Sequence, residues 1–388
     1  MKLGFYYHIP VKASQSCVKM PAYLGVFLDA LAAEVETMVL FMHEDNLTDS
    51  EYCDYNLKAS NLIYHSLGPK TPAWHRFLLP WKALRKIKNS VNECDILLVR
   101  APSPLAPAFH KYFFRETRIA YLIVGDYLEV SKNLDQPWWR KFPIKLLSFI
   151  NNRKLKLAAS KSTTLVNSQK LFNQYKSFVN DLHLVLTTTL SQNDFYHRED
   201  TCSGAEIKLL YTGNYSFAKG LRELVDAFAQ LSRSRDNITL HFVGWDYDHK
   251  KSVESELKKR ANILGVGEKV IFHGFKTIGH ELNEMYRMAD IYILPSYNEG
   301  FPRTIWEAMA NSIPVIATKV GSIPHFLKDG HDALLIEPHN SEQIVEAVLR
   351  IIEKKSLRQT LIKNGYKLAG NNTLKILTSK MIAILERK

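Results

Sequence analysis

Cysteine is scarce in this 388-residue chain: Cys17, Cys53, Cys94 and Cys202 stand far apart and never at C-x-x-C spacing, which argues against a zinc site or a disulfide framework. Long apolar runs are missing too. No stretch approaches the ~18 consecutive apolar residues of a transmembrane helix, and the opening Met1–His8 turns polar too soon for a signal peptide. Glycine (17) and proline (15) are too few for a collagen-like or linker-dominated chain. Several catalytic signatures are absent: there is no Walker loop, no H-E-x-x-H and no nucleophile elbow. Gly265-Val-Gly267 lacks the third glycine and the preceding strand of a dinucleotide fingerprint. These absences leave a reduced, soluble, cytoplasmic protein as the expectation. With 46% apolar and 23% charged residues the chain has the composition of a folded protein. Its length predicts two domains of roughly 190 residues each.

Acid is in short supply, with 39 Asp and Glu against 51 Lys and Arg, a net charge of +12. The excess is local. Between Lys70 and Lys161 there are 18 Lys and Arg against 6 Asp and Glu, which equals the whole surplus. Trp74, Phe77, Trp81, Trp138, Trp139, Phe142 and Phe149 are interleaved there with Arg76, Lys82, Arg85, Lys86, Lys88, Arg140, Lys141 and Lys145. Cations mixed with aromatic rings suit an anionic membrane surface, where rings sit among headgroups and cations meet phosphates. The competing reading is a pair of amphipathic helices with a solvated basic face. Nucleic acid is not expected, since no RNP-like, zinc-finger or helix-turn-helix pattern is present.

Short apolar runs alternate with helical patterns from end to end, as in βαβ units with parallel sheets. Strands are predicted at Leu3–Tyr7, Thr37–Phe41, Ile96–Val99, Ile119–Val124, Thr164–Val166 and Leu182–Leu186, with a first crossover helix at Ala22–Val35. The polar run Ser191–Gly204 reads as a linker. The alternation then restarts with strands Ile207–Tyr211, Ile238–Val243, Val270–His273, Ile291–Leu294, Val315–Ala317 and Ala333–Ile336. The expected architecture is two doubly wound α/β domains, residues 1–190 and 205–370, with a cleft between them and a C-terminal helix at about 371–388 that can return to the first.

The most informative stretch is Ala289–Thr318, which parses as strand, loop, helix, turn, strand. Pro302 suits a first helical position, so Glu299, Gly300 and Phe301 lie at a helix N-terminus, whose free amides and positive dipole end favour a phosphate. Glu307 stands eight positions after Glu299, and two such carboxylates can accept hydroxyl hydrogens from two parts of one ligand. A second block, Leu210–Phe228, runs from a strand through Gly213 and Asn214 to Lys219 at the start of an amphipathic helix with Leu221, Leu224, Val225 and Phe228 on one face. Lys219 can act as a point charge for a diphosphate.

With these blocks the sequence resembles the family 4 retaining glycosyltransferases of the GT-B fold, which consists of two tandem Rossmann-like domains. The likeness rests on Glu299-Gly300, on Glu307-Ala-Met-Ala310 seven residues later, on Pro314-Val-Ile-Ala-Thr318, and on Gly321-Ser-Ile-Pro324, Asp329-Gly330 and Leu335-Ile-Glu-Pro338. It also covers the Gly213…Lys219-Gly220 loop, with Asn214 where the family often has Arg, so that one of the two usual cations is either missing or supplied by another residue such as Arg303. The resemblance implies a metal-independent transferase with no cofactor, using a nucleotide sugar, UDP- or GDP-linked, and acting on a glycan or lipid-linked acceptor. It implies a donor site of Gly213, Asn214, Lys219, Gly244, Phe275, Lys276, Glu299, Gly300, Phe301, Pro302, Arg303, Thr304 and Glu307, with Phe275 and Lys276 toward the base. Glu299 and Lys219 are catalytic candidates, and a nucleotide-sugar 2-epimerase or a non-catalytic relic are the alternatives.

The first half matches that family in architecture only. Gly125-Asp126-Tyr127 stands where many members carry a histidine, which makes Asp126, at a strand's carboxyl end, a third catalytic candidate on the acceptor side with Arg100 and His8. Asp246-Tyr-Asp248 has the D-x-D form of a metal site but is read as a turn. The segment Gln136-Pro-Trp-Trp-Arg-Lys-Phe-Pro-Ile-Lys-Leu-Leu-Ser-Phe149 is too short in apolar residues to span a bilayer and suited to lie on one. A peripheral enzyme on the inner face of the membrane, acting in envelope polysaccharide synthesis, is therefore expected.

Overall fold

The structure is a computed structural model that describes residues 1–14, 17–44, 53–126, 138–246 and 251–387. Tyr127, Gln136, Pro137, Tyr247 and Asp248 lie outside the described residues, as do the side chains of Trp138, Trp139, Arg140 and Lys141. The chain divides into two compact units, residues 1–187 together with 375–388, and residues 188–374.

The first unit is built on β1 (Lys2–Ser14), β2 (Cys17–Met20), β3 (Thr37–Glu44), β4 (Tyr55–Asn56), β5 (Leu62–Pro69), β6 (Ile96–Ala101), β7 (Arg118–Ile123), β8 (Thr163–Val166) and β9 (Leu182–Leu184). Seven of these run parallel in the order β5-β3-β1-β6-β7-β8-β9. Leu3–Tyr7 and Met38–His43 are buried without interruption, as strands covered on both faces must be. The far end of β1 leaves this sheet and pairs antiparallel with β2, which pairs with β4. These two short strands and β5 carry no strong apolar run: β5 is an edge strand, only partly buried, so its pattern does not announce a strand. The basic segment folds into the short helices Ala73–Leu78, Trp81–Leu84 and Lys88–Asn92 and the long helix Trp138–Ala159.

In the second unit β10 (Ile207–Thr212), β11 (Ile238–Val243), β12 (Val270–Phe272), β13 (Ile291–Leu294), β14 (Val315–Thr318) and β15 (Leu334–Ile336) form one parallel sheet in the order β12-β11-β10-β13-β14-β15. The winding reverses between β10 and β13, and the carboxyl ends of those strands are where doubly wound sheets bind ligands. The helix Leu221–Ser234 buries Leu221, Leu224, Val225 and Phe228.

The run Ser191–Gly204 is not a free linker. Asp194 accepts from the Ser191 amide (2.7 Å) and from Asn283 Nδ2 (2.8 Å), and Arg198 donates to the Arg287 and Ala289 carbonyls. Asp200 is held by Arg358 at 2.6 Å. Asp194, Arg198 and Asp200 thus face protein partners rather than water alone, which composition does not reveal.

Candidate active site

The loops after β10 and β13 are neighbours because their strands are paired, and the Tyr297 amide stitches them by donating to the Ala218 carbonyl at 2.9 Å. This places Lys219 against Glu299. The Lys219 ammonium donates to Glu299 Oε1 at 2.6 Å, and Ser296 Oγ donates to the same oxygen at 2.7 Å. The pair is partly sheltered, with side chains 22% and 11% exposed. Lys219 does not open the long helix as expected. It closes the preceding 3-10 turn Phe217–Lys219, and Gly220, in the left-handed region at φ 64°, caps the helix Leu221–Ser234.

Pro302 is also one position earlier than read: it is the N-cap, and the helix runs Arg303–Ala310. No side chain caps this terminus, and proline brings no N–H of its own. The first amides, at Arg303 and Thr304, have no intrahelical acceptor by geometry and can meet an anion. The Phe301 ring is committed to the protein, stacked on the buried Trp306 at 4.5 Å between centroids and edge-on to Phe326. Gly300 accepts from the Ser322 amide at 2.8 Å, and Gly321, at φ 57°, makes that approach possible: a Cβ there would lie 1.8 Å from the Glu299 carbonyl oxygen.

Glu307 is buried. Its Oε1 accepts from Thr189 Oγ1 at 3.1 Å and its Oε2 from Tyr286 OH at 2.8 Å. Burial, with Glu307 nearby, raises the Tyr286 phenol well above its ordinary range, so it stays a donor. Tyr286 OH and Thr212 Oγ1 lie 2.7 Å apart, which ties the carboxylate to the end of β10. Two oxygens carrying one donor each leave lone pairs for ligand hydroxyls.

Gly213 and Gly244 end β10 and β11 in contact: the Gly213 amide donates to the Val243 carbonyl, and a Cβ on Gly244 would lie 1.8 Å from the Gly213 oxygen. Asn214 offers its carbonyl to Tyr211 OH at 2.9 Å. Phe275 and Lys276 follow β12, two strands from β10. The Phe275 ring is 46% exposed and edge-on to Trp245. Asp246 accepts from the Val253 and Glu254 amides at 2.8 and 3.2 Å, so the first carboxylate of the D-x-D pattern serves the helix Ser252–Ile263.

The other candidates belong to the first unit. Asp126, beyond β7, accepts from Gln174 Nε2 at 3.1 Å. Arg100 ends β6 with its guanidinium 4.4 Å from the centre of the Tyr7 ring. His8 lies on β1, where burial, with Lys70, Arg76, Arg100 and His43 around it, lowers the imidazole to about 3. The pattern reading missed Thr189, Thr212, Tyr286 and Ser296, and also His43 and Arg76. Tyr286 sits in an amphipathic helix and reads as core. Nothing local links it to Glu307.

Residues 193–368 match the family model described as Glycosyl transferases group 1. The match lies within the second unit. The chain is 27% identical over 284 residues to the lipopolysaccharide 1,2-N-acetylglucosaminetransferase of Salmonella typhimurium, covering 60% of this chain and 74% of that one. It is 28% identical over 162 residues to an uncharacterised glycosyltransferase of Methanocaldococcus jannaschii, 42% of this chain and 40% of the relative. Against most such relatives it spans a third to a half of their length, 34% to 52%. Among solved structures, Anabaena HepE in complex with UDP matches over 99% of this chain and 98% of its own, with a TM-score of 0.75 at 18% identity. The fold is that of GT-B structures, two α/β units with parallel sheets.

Proposed function

We propose that the chain is a retaining, metal-independent glycosyltransferase that moves a sugar from a UDP- or GDP-linked donor to a glycan or lipid-linked acceptor of an envelope polysaccharide. The observation that carries this reading is the Lys219–Glu299 pair on the loops after β10 and β13, with Glu307 on the helix that follows the second loop, all inside the stretch that matches the family. The donor diphosphate lies against Lys219 and the uncapped helix start, which stabilise the negative charge growing on the leaving phosphate. A lysine and helix amides supply there what a divalent ion supplies elsewhere, which is the ground for metal independence. Glu299 holds hydroxyls of the transferred sugar, and Glu307 those of the ribose. Retention of configuration rests on the family resemblance. Asp126, Arg100 and His8 serve the acceptor.

Envelope chemistry is supported by relatives named for lipopolysaccharide and teichuronic acid biosynthesis. A membrane-facing role for residues 70–161 is supported by what the first unit exposes. Trp74, Leu78, Trp81, Phe114, Phe142, Phe149 and Leu157 are all solvent-exposed. Phe77, Leu78, Trp81, Phe114, Lys154 and Leu157 line a groove of about 1130 Å³. Lys82 and Arg85 lie over the Trp81 ring and Lys154 over Phe77. Among the described residues no helix is long and apolar enough to cross a membrane, so contact is by docking on an anionic surface, each cation near it worth about 1 kcal/mol.

Two assays test the reading. Incubation with UDP- and GDP-sugars, with and without membrane-extracted acceptor, should give acceptor-dependent release of nucleotide. Interconversion of the sugar without acceptor would make the chain an epimerase, and no reaction with any donor would make it a relic. Flotation with anionic liposomes should recover the protein at low salt and lose it at high salt, and absence from the vesicles at both would end the membrane half of the proposal.

A further inference from the structure

The carboxyl edge of the first unit's sheet holds a set of buried polar atoms with no partner. His8 Nδ1, His43 Nε2, Arg76 Nη1 and Arg100 Nε are each buried and make no hydrogen bond among the described residues. They come from four places that the topology draws together: β1, its neighbours β3 and β6, and the helix Ala73–Leu78 that follows β5. Arg76 is only 6% exposed, and its one hydrogen bond is from Nε to the Thr71 carbonyl. His43, 1% exposed, spends its Nδ1 on the Gly68 carbonyl at 3.2 Å and leaves Nε2 over.

Such atoms are rare in folded proteins, because each buried donor left unmade costs free energy. Four around one strand edge call for a common partner. The charge says which kind. Lys70, Arg76, Arg100 and His43 act on His8, and Arg76, Lys70 and Lys86 act on His43, all of them cationic or basic groups. Among the described residues neither Arg76 nor Arg100 has a carboxylate within ion-pair distance. Glu44, next to His43, acts on Tyr64 and is not among the groups acting on His8 or His43. A buried arginine without an acid is unstable in isolation and stable around an anion. Burial and these cations hold both imidazoles neutral, so His43, whose Nδ1–H goes to Gly68, presents a lone pair at Nε2.

We propose that His8, His43, Arg76 and Arg100 form a phosphate-binding site that receives a phosphate group of the acceptor. The acceptor identity rests on the functional reading above; the site itself does not. A phosphate is favoured over a carboxylate because it offers several oxygens to guanidiniums on separate elements and, in its singly protonated form, an O–H for the His43 Nε2 lone pair, whereas a carboxylate presents two oxygens. Arg100 is already posed by its contact with the Tyr7 ring, and guanidinium forks suit phosphate geometry.

The test is calorimetry with inorganic phosphate on the full chain saturated with UDP, so that the Lys219 region is filled. One phosphate site is expected, weakened at least tenfold in Arg76→Gln and in Arg100→Gln, with UDP affinity of each variant unchanged as evidence that the second unit is intact. Arg100 is only partly buried, so its variant keeps the test open if Arg76→Gln fails to fold. Absence of phosphate binding beside UDP, equal binding in the Arg100 variant, or acetate binding as tightly as phosphate would each overturn the proposal. Competition by phosphatidic acid vesicles would assign the phosphate to a lipid, and competition by glucose 6-phosphate to a soluble sugar; either supports the site. If phosphate binds as described and no donor sugar is ever turned over, the functional reading fails and the site stands.

Discussion

Glu299→Gln isolates one charge at the end of β13 and makes an outcome opposite to intuition. The amide keeps the shape of the side chain, and its oxygen still accepts from Ser296 and Lys219, which meet Glu299 at 2.7 and 2.6 Å. Only the negative charge is lost. That charge is paired with Lys219, so a diphosphate arriving there meets a cation already engaged and a carboxylate beside it. Two unit charges ~5 Å apart interact by about 1–3 kcal/mol between the dielectric of water and that of a protein surface. Because Lys219, 2.6 Å from the carboxylate, offsets part of its charge toward an arriving phosphate, the lower end of that range applies. UDP, which has no sugar for Glu299 to hold, should therefore bind about fivefold more tightly to Glu299→Gln, a gain of ~1 kcal/mol. Turnover of the full donor should fall, since the carboxylate beside the reacting sugar is gone. Lys219→Ala should do the reverse to UDP, weakening it, and should lower kcat/KM by about 2–4 kcal/mol of transition-state stabilisation. Calorimetry with UDP and steady-state kinetics read both. If Glu299→Gln weakens UDP as Lys219→Ala does, the ion pair is a structural strut. If Lys219→Ala leaves kcat/KM within about threefold, the donor-site assignment is wrong.

Gly321→Ala should destabilise the second unit by more than about 2 kcal/mol and cut turnover, because its Cβ meets the Glu299 carbonyl at 1.8 Å; Gly330→Ala, also left-handed at φ 70° but in open space, should cost only ~1–2 kcal/mol, measured by urea unfolding. Tyr286→Phe leaves Glu307 Oε2 without its buried donor and should cost about 1–3 kcal/mol while weakening the donor nucleotide, again by unfolding and calorimetry. Acid should unfold the first unit more steeply than the second. Burial lowers His8 to about 3 and His43 to about 4 in the first unit, and His241 to about 4 in the second. The unfolded chain binds these protons and the folded one does not, so the stability they contribute is present above pH ~6.5 and is lost as pH falls toward the folded values. From pH 7.5 to 5.5 each of these three groups removes about 1.4 kcal/mol, so His8 and His43 together remove ~3 kcal/mol against ~1 from His241. His110 and His273, both also lowered by burial, add to the first and second unit respectively. Equal losses in both, followed by separate probes, would show that these imidazoles are not held neutral.

The second unit was legible in the sequence because its signals are local. A buried parallel strand is a short apolar run, and Ile238–Val243 and Ile291–Leu294 were placed to the residue. Glu299 and Glu307 sit within one strand–loop–helix frame, so spacing was enough to single them out. What spacing does not carry is contact across the chain. The partners of Glu307 lie 118 and 21 residues away, and only the fold brings Thr189 and Tyr286 to one carboxylate. The linker reading of Ser191–Gly204 failed for the same reason: polarity marks a residue as needing a partner, without saying whether the partner is water. In the first unit, β2, β4 and β5 escaped because edge and add-on strands are half-exposed and alternate weakly.

The two units handle charge in opposite ways, and this gives the net +12 of the chain a physical meaning. In the second unit cations are matched: Lys219 with Glu299, Arg260 with Asp226, Arg358 with Asp200. A matched lysine is poised rather than free, so an anion binds there by exchanging one partner for another, and affinity depends on what that partner does. In the first unit Arg76 and Arg100 have no described acid, and the segment around them holds the whole positive surplus. Arg76 and Arg100 attract anions from a distance, within a Debye length of about 8–10 Å at ordinary salt, and the net positive charge of the segment acts in the same direction. A chain arranged in this way would gather an anionic acceptor, or the membrane that carries it, through one unit and hold a nucleotide by exchange in the other. Salt then separates the two functions, weakening the first far more than the second.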